Sequence, residues 1–167
     1  ADEALYIPVG HDYDGAPEQL DLETIAARLR PALENPNILK VGQNIKYDLT
    51  ILARYGLTVR GPMFDTMVAA YLLNPARRGY GLDQLALDYL DHRMISYAEV
   101  TGTGRDAICF SKVAIDKAAT YSGEDADITF CVYRLLSERL QEAGLTELFE
   151  KIEMPLVPVL TAMEMRG

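Results

Sequence analysis

The sequence predicts an α/β fold whose second half is almost wholly helical. Three observations predict it. Leu39-Lys40-Val41 is a short apolar strand that passes through Gly42 into a helix with Ile45, Leu49 and Leu52 at helical spacing. A second extended piece, Met63-Phe64, leads straight into a helix at Asp65-Thr66. From Leu82 onward helical segments dominate, over 82–90, 111–143 and 145–152, with a further one opening at Met154.

Taken in order, Leu5-Tyr6-Ile7-Pro8-Val9 alternates like a strand, and Pro8 confines it to a sheet edge or a strand end. A polar loop follows, in which the lone His11 reads as a hydrogen-bonding residue rather than a ligand. Asp21 has the N-cap position of an amphipathic helix through about Glu34, with Leu22, Ile25, Ala26, Leu29 and Leu33 on one face. Asp21-x-Glu23 has the form of a metal-binding pair, but residues two apart on a helix diverge, so it is read as a cap. Asn35-Pro36-Asn37 stops this helix. The next strand and helix follow, with Asn44 as the expected cap and Gly56 as the C-terminal stop. Thr58-Val59 is a further short extended piece. The helix from Asp65-Thr66 to about Leu73 buries Met67, Ala70, Tyr71 and Leu73. Ala76 to Gly81, with Arg77 and Arg78, reads as a solvated basic loop, with a phosphate contact as the functional alternative. Ser111 is the expected N-cap of the long helix, Gly144 its stop, and Pro155 is tolerated in the first turn of the last helix.

Composition bounds the function classes. The chain has 167 residues, 49% hydrophobic and 25% charged, as in an ordinary globular domain. No apolar run approaches a membrane span, and Ala1-Asp2-Glu3-Ala4 lacks the blocks of a signal peptide, so a cytoplasmic location and no membrane partner are expected. Cys109 and Cys131 lack metal-ligand spacing and lie in apolar surroundings, which reads as buried thiols in a reducing compartment. A net charge of −9 argues against nonspecific polyanion binding. It is compatible with a nucleic-acid enzyme whose carboxylates hold divalent cations, because the cations bridge to phosphate.

Two stretches carry chemistry. Asp48 sits in the first turn of a helix just beyond the carboxyl end of a strand, where open α/β sheets bind ligands. Taken alone it is a first-turn acid facing the helix dipole. In the long helix, Tyr121 and Asp125 are four apart and therefore neighbours on one face, with Gly123 leaving bare surface between them. A phenol beside a carboxylate can hold a water while the carboxylate holds a metal. Glu124 and Asp127 lie on other faces and read as solvated charges.

Together these stretches resemble the second and third motifs of the DEDD 3′–5′ exonucleases, in the subclass that carries a tyrosine. The likeness extends along the chain to the proofreading domains of the bacterial DNA polymerase I family. It is carried by Val41-Gly42-Gln43-Asn44-Ile45-Lys46-Tyr47-Asp48, Phe64-Asp65-Thr66-Met67, Tyr121-x-x-Glu124-Asp125-Ala126-Asp127 and the block from Ile152 to Leu160. The resemblance implies a ribonuclease-H-like (DnaQ-like) α/β fold, with residues 1–152 as the exonuclease unit and 153–167 entering a polymerase domain of the same parent chain. It implies two divalent metals, Mg²⁺ with Mn²⁺ as a substitute, held by Asp125 and Asp48, with Tyr121 orienting the attacking water. Gln43, Asn44 and Tyr47 would touch the terminal nucleotides of a single-stranded or frayed 3′ DNA end, and Tyr97 would stack on a base.

One part of the family pattern has no counterpart. The first motif, an Asp-x-Glu on the leading strand, would precede residue 1, along with two strands. The expectation is therefore a fold without its leading strands, an exposed edge at the strand around Val41, and a chain that by itself is hydrolytically inactive or nearly so. Two other readings compete: a catalytically silent module that braces a polymerase, and an RNase D-like RNA exonuclease.

Overall fold

The computed structural model describes residues 3–167; Ala1 and Asp2, at the head of the segment read above for a signal peptide, lie outside the described residues. The chain runs α1 (Leu22–Leu33), β1 (Lys40–Gly42), α2 (Ile45–Arg54), β2 (Met63–Asp65), α3 (Thr66–Leu73), α4 (Leu82–Leu90), α5 (Tyr97–Thr101), α6 (Ile115–Glu142), α7 (Thr146–Leu148), a π-helical turn (Phe149–Glu153) and α8 (Met154–Glu164). Two short 3₁₀ turns, Gly104–Asp106 and Phe110–Lys112, precede α6.

The strands form a parallel pair with α2 as the crossover, in register Lys40↔Met63, Val41↔Phe64 and Gly42↔Asp65. Among the described residues the sheet has these two strands only. Helix α6 is the backbone of the molecule, and α3, α4 and β1 all pack on it. At 28 residues it is roughly 42 Å long by the usual rise per residue. Ala69 and Ala70 of α3 are wholly buried and let that helix approach closely, while Val132, Leu136 and Leu140 of α6 fill the interior. Phe64 of β2 meets Tyr133 and Phe149 edge-on or tilted, at 4.8 and 4.6 Å between ring centres.

Several local expectations are corrected. Residues 5–9 are not a strand: among the described residues no partner strand lies beside them, and the segment instead folds back through a Tyr6–His11 hydrogen bond of 2.6 Å. His11 is a hydrogen-bonding residue as read, but a buried one, with Nδ1 2.9 Å from the Val113 carbonyl. Thr58-Val59 is irregular. Tyr71 is 49% exposed, because the face of α3 that packs is formed by Thr66, Ala69 and Ala70. The long helix begins at Ile115, not Ser111. Ser111 lies in the preceding 3₁₀ turn, where its carbonyl accepts from Asp12 N–H and ties the N-terminal segment down. Cys109 is exposed and Cys131 half-buried, so neither is the buried thiol that its apolar neighbours suggested.

The C-terminus of α6 and the N-terminus of α1 follow from local chemistry. Gly144 takes φ +67°, its N–H donates to Gln141, and Leu145 N–H donates to Leu140, the Schellman pattern that closes a helix. The separate helix expected over 145–152 is instead continuous with α8 through the π turn. Asp21 caps α1 as read, accepting from Thr24 N–H at 2.7 Å.

Candidate active site

The site is built where β1 hands over to α2. Gly42 allows the close approach, since a Cβ there would stand 3.1 Å from Ile45 Cγ1. Asn44 then turns left-handed, with φ 54°, and its side chain does not cap the helix. The cap comes from the neighbouring strand. Asp65, 1% exposed at the end of β2, accepts from Asn44 N–H at 3.0 Å and Ile45 N–H at 2.8 Å. The same carboxylate caps its own helix, accepting from Met67 N–H at 2.8 Å and Val68 N–H at 3.4 Å. One buried acid thus sets the start of both α2 and α3. Burial pushes its carboxyl above the ordinary carboxylate range, against the pull of those four donors.

Asp48 therefore leaves a fixed first turn of α2 and faces a cavity of about 1170 Å³. Tyr121 and Asp125 face the same cavity from α6, and Gln43 and Tyr97 line it too. Asn44 and Tyr47 are not among its lining residues, and Tyr47 stands 65% exposed on α2. Gln43 is fixed, with its amide donating to the Tyr80 carbonyl at 2.6 Å and its oxygen accepting from Thr66. Asp48 is open to the cavity, yet the surrounding protein displaces water from its carboxyl and pushes it up, and the Asp65 charge adds to this. Asp125 is half-buried and likewise raised by loss of water, partly offset by a hydrogen bond from Tyr121. The Tyr121 phenol is pushed up to about 12, by burial first and then by the Asp125 charge. It is a hydrogen-bond donor at neutral pH, not a base.

Three groups escaped the sequence reading. Glu124 is not a solvated charge: its side chain is 18% exposed, accepts from Ile95 N–H at 2.7 Å and pairs with His92 Nε2 at 2.9 Å. It ties α6 to the 92–97 segment, which forms the facing wall. A buried role was signalled only by its place beside Asp125 in a motif. Arg93, on that segment, is the one basic side chain among the lining residues. Asp65 was read only as the place where α3 starts, not as the residue that caps both α2 and α3. The basic loop is less free than its composition suggests. Arg77 donates to the Gly79 and Gln84 carbonyls, pairs with Asp88 at 2.5 Å and lies over the Tyr89 ring.

The donor chemistry suits a hard divalent cation. Among the described residues no group of three or more His, Cys, Asp or Glu side chains could hold an ion. Two carboxylates completed by water and substrate phosphate are, however, an ordinary way of binding Mg²⁺ at phosphoryl-transfer sites. Asp48 and Asp125 fit that pattern.

A family model described as 3′-5′ exonuclease matches residues 2–141. The chain belongs to the 3′-5′ exonuclease family. It is 40% identical to DNA polymerase I of Pseudomonas aeruginosa over 168 residues, 99% of this chain and 18% of that protein. It is also 40% identical to DNA polymerase I of Rhizobium leguminosarum over 172 residues, 98% of this chain and 17% of that protein. The exonuclease chain thus spans under a fifth of the length of these relatives. Among solved structures, the POL domain of Pol1 from M. smegmatis with DNA primer-template and dNTP superposes with a TM-score of 0.69 at 27% identity, over 87% of this chain and 22% of that one. Brucella melitensis NrnC superposes with a TM-score of 0.67 over 93% of this chain and 68% of that one. At 20% identity NrnC shows the fold alone; with the family match, that fold is the ribonuclease-H-like α/β class. Among the described residues no helix is long and apolar enough to cross a membrane.

Proposed function

We propose that this exonuclease chain is the proofreading domain of a DNA polymerase I, and that its site hydrolyses the 3′-terminal phosphodiester of single-stranded or frayed DNA. The observation that carries the proposal is the convergence of Asp48 from α2 with Tyr121 and Asp125 from α6 on one cavity. The near-complete coverage of this chain by relatives named DNA polymerase I favours DNA over the RNA substrate of an RNase D-like enzyme.

On this reading Asp125 and Asp48 hold two divalent cations, Mg²⁺ or in its place Mn²⁺. When bound, the cations neutralise charge on the scissile phosphate and act on it as Lewis acids. Tyr121 keeps its proton on Oη and orients the attacking water by hydrogen bonding, with Asp125 fixing the phenol in turn. Gln43, Asn44 and Tyr47 contact the terminal nucleotides, and Tyr97 stacks on a base, a contact that tolerates any sequence and contributes roughly 1–3 kcal/mol. A mispaired terminus costs less to unpair, so frayed ends reach the site first. Residues 1–152 form the exonuclease unit, and 153–167 lead toward the polymerase domain, in a cytoplasmic protein.

The 167 residues by themselves offer two of the four carboxylates that the family pattern implies, so the isolated chain hydrolyses DNA slowly or not at all. The test is release of nucleotides from 5′-labelled single-stranded DNA with Mg²⁺ or Mn²⁺, run beside a longer polypeptide in which an Asp-x-Glu strand precedes residue 1. Nucleotide release by the longer form that Asp125→Ala abolishes supports the proposal. Inactivity of the longer form would refute the catalytic reading, and robust turnover by the 167-residue chain would refute its inactivity. Equal rates on matched RNA would refute the substrate.

A further inference from the structure

Tyr97 and Tyr121 reach the cavity from different elements, and a single ring outside it touches both. Phe110 is half-buried and does not line the cavity. It stacks on Tyr97 with ring centres 6.0 Å apart and planes 15° apart, and packs on Tyr121 at 6.0 Å and 59°. Tyr97 is 54% exposed and also meets the Tyr121 ring edge-on, with centres 6.2 Å apart, so Phe110 is its flat support; a large side chain that is otherwise open to water loses entropy whenever a ligand fixes it. Phe110 is itself held. Its turn donates Val113 N–H to the Phe110 carbonyl, and the buried His11 ring lies 6.1 Å from Phe110 while its Nδ1 bonds the Val113 carbonyl. Asp12 N–H to the Ser111 carbonyl and Lys112 to Asp12 complete the anchor.

We infer that Phe110 is a positioning residue of the site: stacked behind Tyr97 and against Tyr121, it presets both rings for the 3′-terminal nucleotide. The inference rests on the reading of Tyr97 as a base-stacking residue. It adds a part that never meets the DNA, and it makes the N-terminal segment around His11 the support of the aromatic wall.

The experiment measures single-stranded DNA with 2-aminopurine as its 3′-terminal base, binding to the 167-residue chain with Mg²⁺ present. Anisotropy of a 5′ dye reports affinity, 2-aminopurine quenching reports stacking of the terminal base, and thermal melting reports the fold. Phe110→Leu keeps apolar bulk without a flat ring, Phe110→Ala removes both, and Phe110→Tyr keeps the ring. The leucine variant is expected to melt near the wild type yet lose most of the quench per bound strand and weaken binding about five-fold, the low end of one base–aromatic stack. The tyrosine variant restores both signals. Wild-type quench and affinity in the leucine and alanine variants would overturn the inference, as would a melt lowered in leucine with the quench per bound strand unchanged. Failure of the wild-type chain to quench the probe would overturn the Tyr97 reading itself, and this inference with it, before any variant is compared.

Discussion

Removing the Asp65 carboxylate should unpin two helices at once. Its Oδ1 accepts from Asn44, Met67 and Val68, and its Oδ2 from Ile45. Asp65→Ala leaves both helix starts without a cap at a site closed to water. Loss of a cap costs about 1–2 kcal/mol in a protein, so two together cost about 2–4 kcal/mol. Asp65→Asn separates the two roles. Its one carbonyl oxygen can replace Oδ1 and serve three of the four donors, but its amide NH₂ then faces Ile45 N–H, donor against donor. The asparagine variant should therefore lose about 1–2 kcal/mol, nearly all of it at α2. Urea denaturation checks this through the midpoint, provided the slope is shared with the wild type. Amide exchange should show Ile45 to Asp48 opening in the asparagine variant while the first turn of α3 stays protected. A stability for Asp65→Ala within about 0.5 kcal/mol of wild type, the usual size of a neutral surface change, would refute the shared-cap argument. Equal costs for the two variants would refute the division between helices.

Other consequences follow from the same geometry. Tyr121→Phe, in a polypeptide that also carries the Asp-x-Glu strand, should slow nucleotide release by about 10²-fold with DNA affinity little changed, because one positioned hydrogen-bonding group is removed; single-turnover kinetics reads this. Glu124→Ala strands the Ile95 N–H and the His92 ring and should cost about 1–3 kcal/mol, whereas Glu124→Gln retains an acceptor for Ile95 and should cost less, both read by thermal melting. The pH dependence has a definite sign. Asp48 and Asp125 are raised in the folded state, so their contribution to stability is greatest below the ordinary carboxylate range and is lost as pH rises through their raised values. In metal-free buffer Asp48→Asn/Asp125→Asn should flatten that decline. Mg²⁺ should instead bind more tightly as pH rises and release protons on binding, read by calorimetry in buffers of different ionisation enthalpy.

Legibility in the sequence tracked distance along the chain. The caps at Asp21 and Gly144 and the helix start at Asp65 were readable because donor and acceptor lie within a few residues of each other. Tyr121 and Asp125 were readable as neighbours because a helix fixes positions four apart on one face. What stayed hidden depends on partners brought together by folding. Residues 5–9 alternate like a strand, but alternation carries no information about whether a partner lies alongside. Ser111 has the chemistry of a cap, yet the turn around it is committed to holding Asp12 and His11, about a hundred residues earlier. Glu124 looked solvated because its bonding partners, His92 and Ile95, sit some thirty residues upstream.

Asp65 joins the two kinds of information. In the register that pairs Gly42 with Asp65, the carboxylate stands level with the end of β1, where the chain turns into α2. A slip of one residue would put the phenyl ring of Phe64 or the hydroxyl of Thr66 there, and neither can accept from both helix starts. The register is fixed in turn by Phe64, whose ring must reach Tyr133 and Phe149 in the core. Apolar packing on the far side of β2 therefore determines where Asp48 stands relative to α6. A core substitution such as Phe64→Leu, remote from the cavity, should speed amide exchange at Ile45 to Asp48, and unchanged exchange there would refute the link.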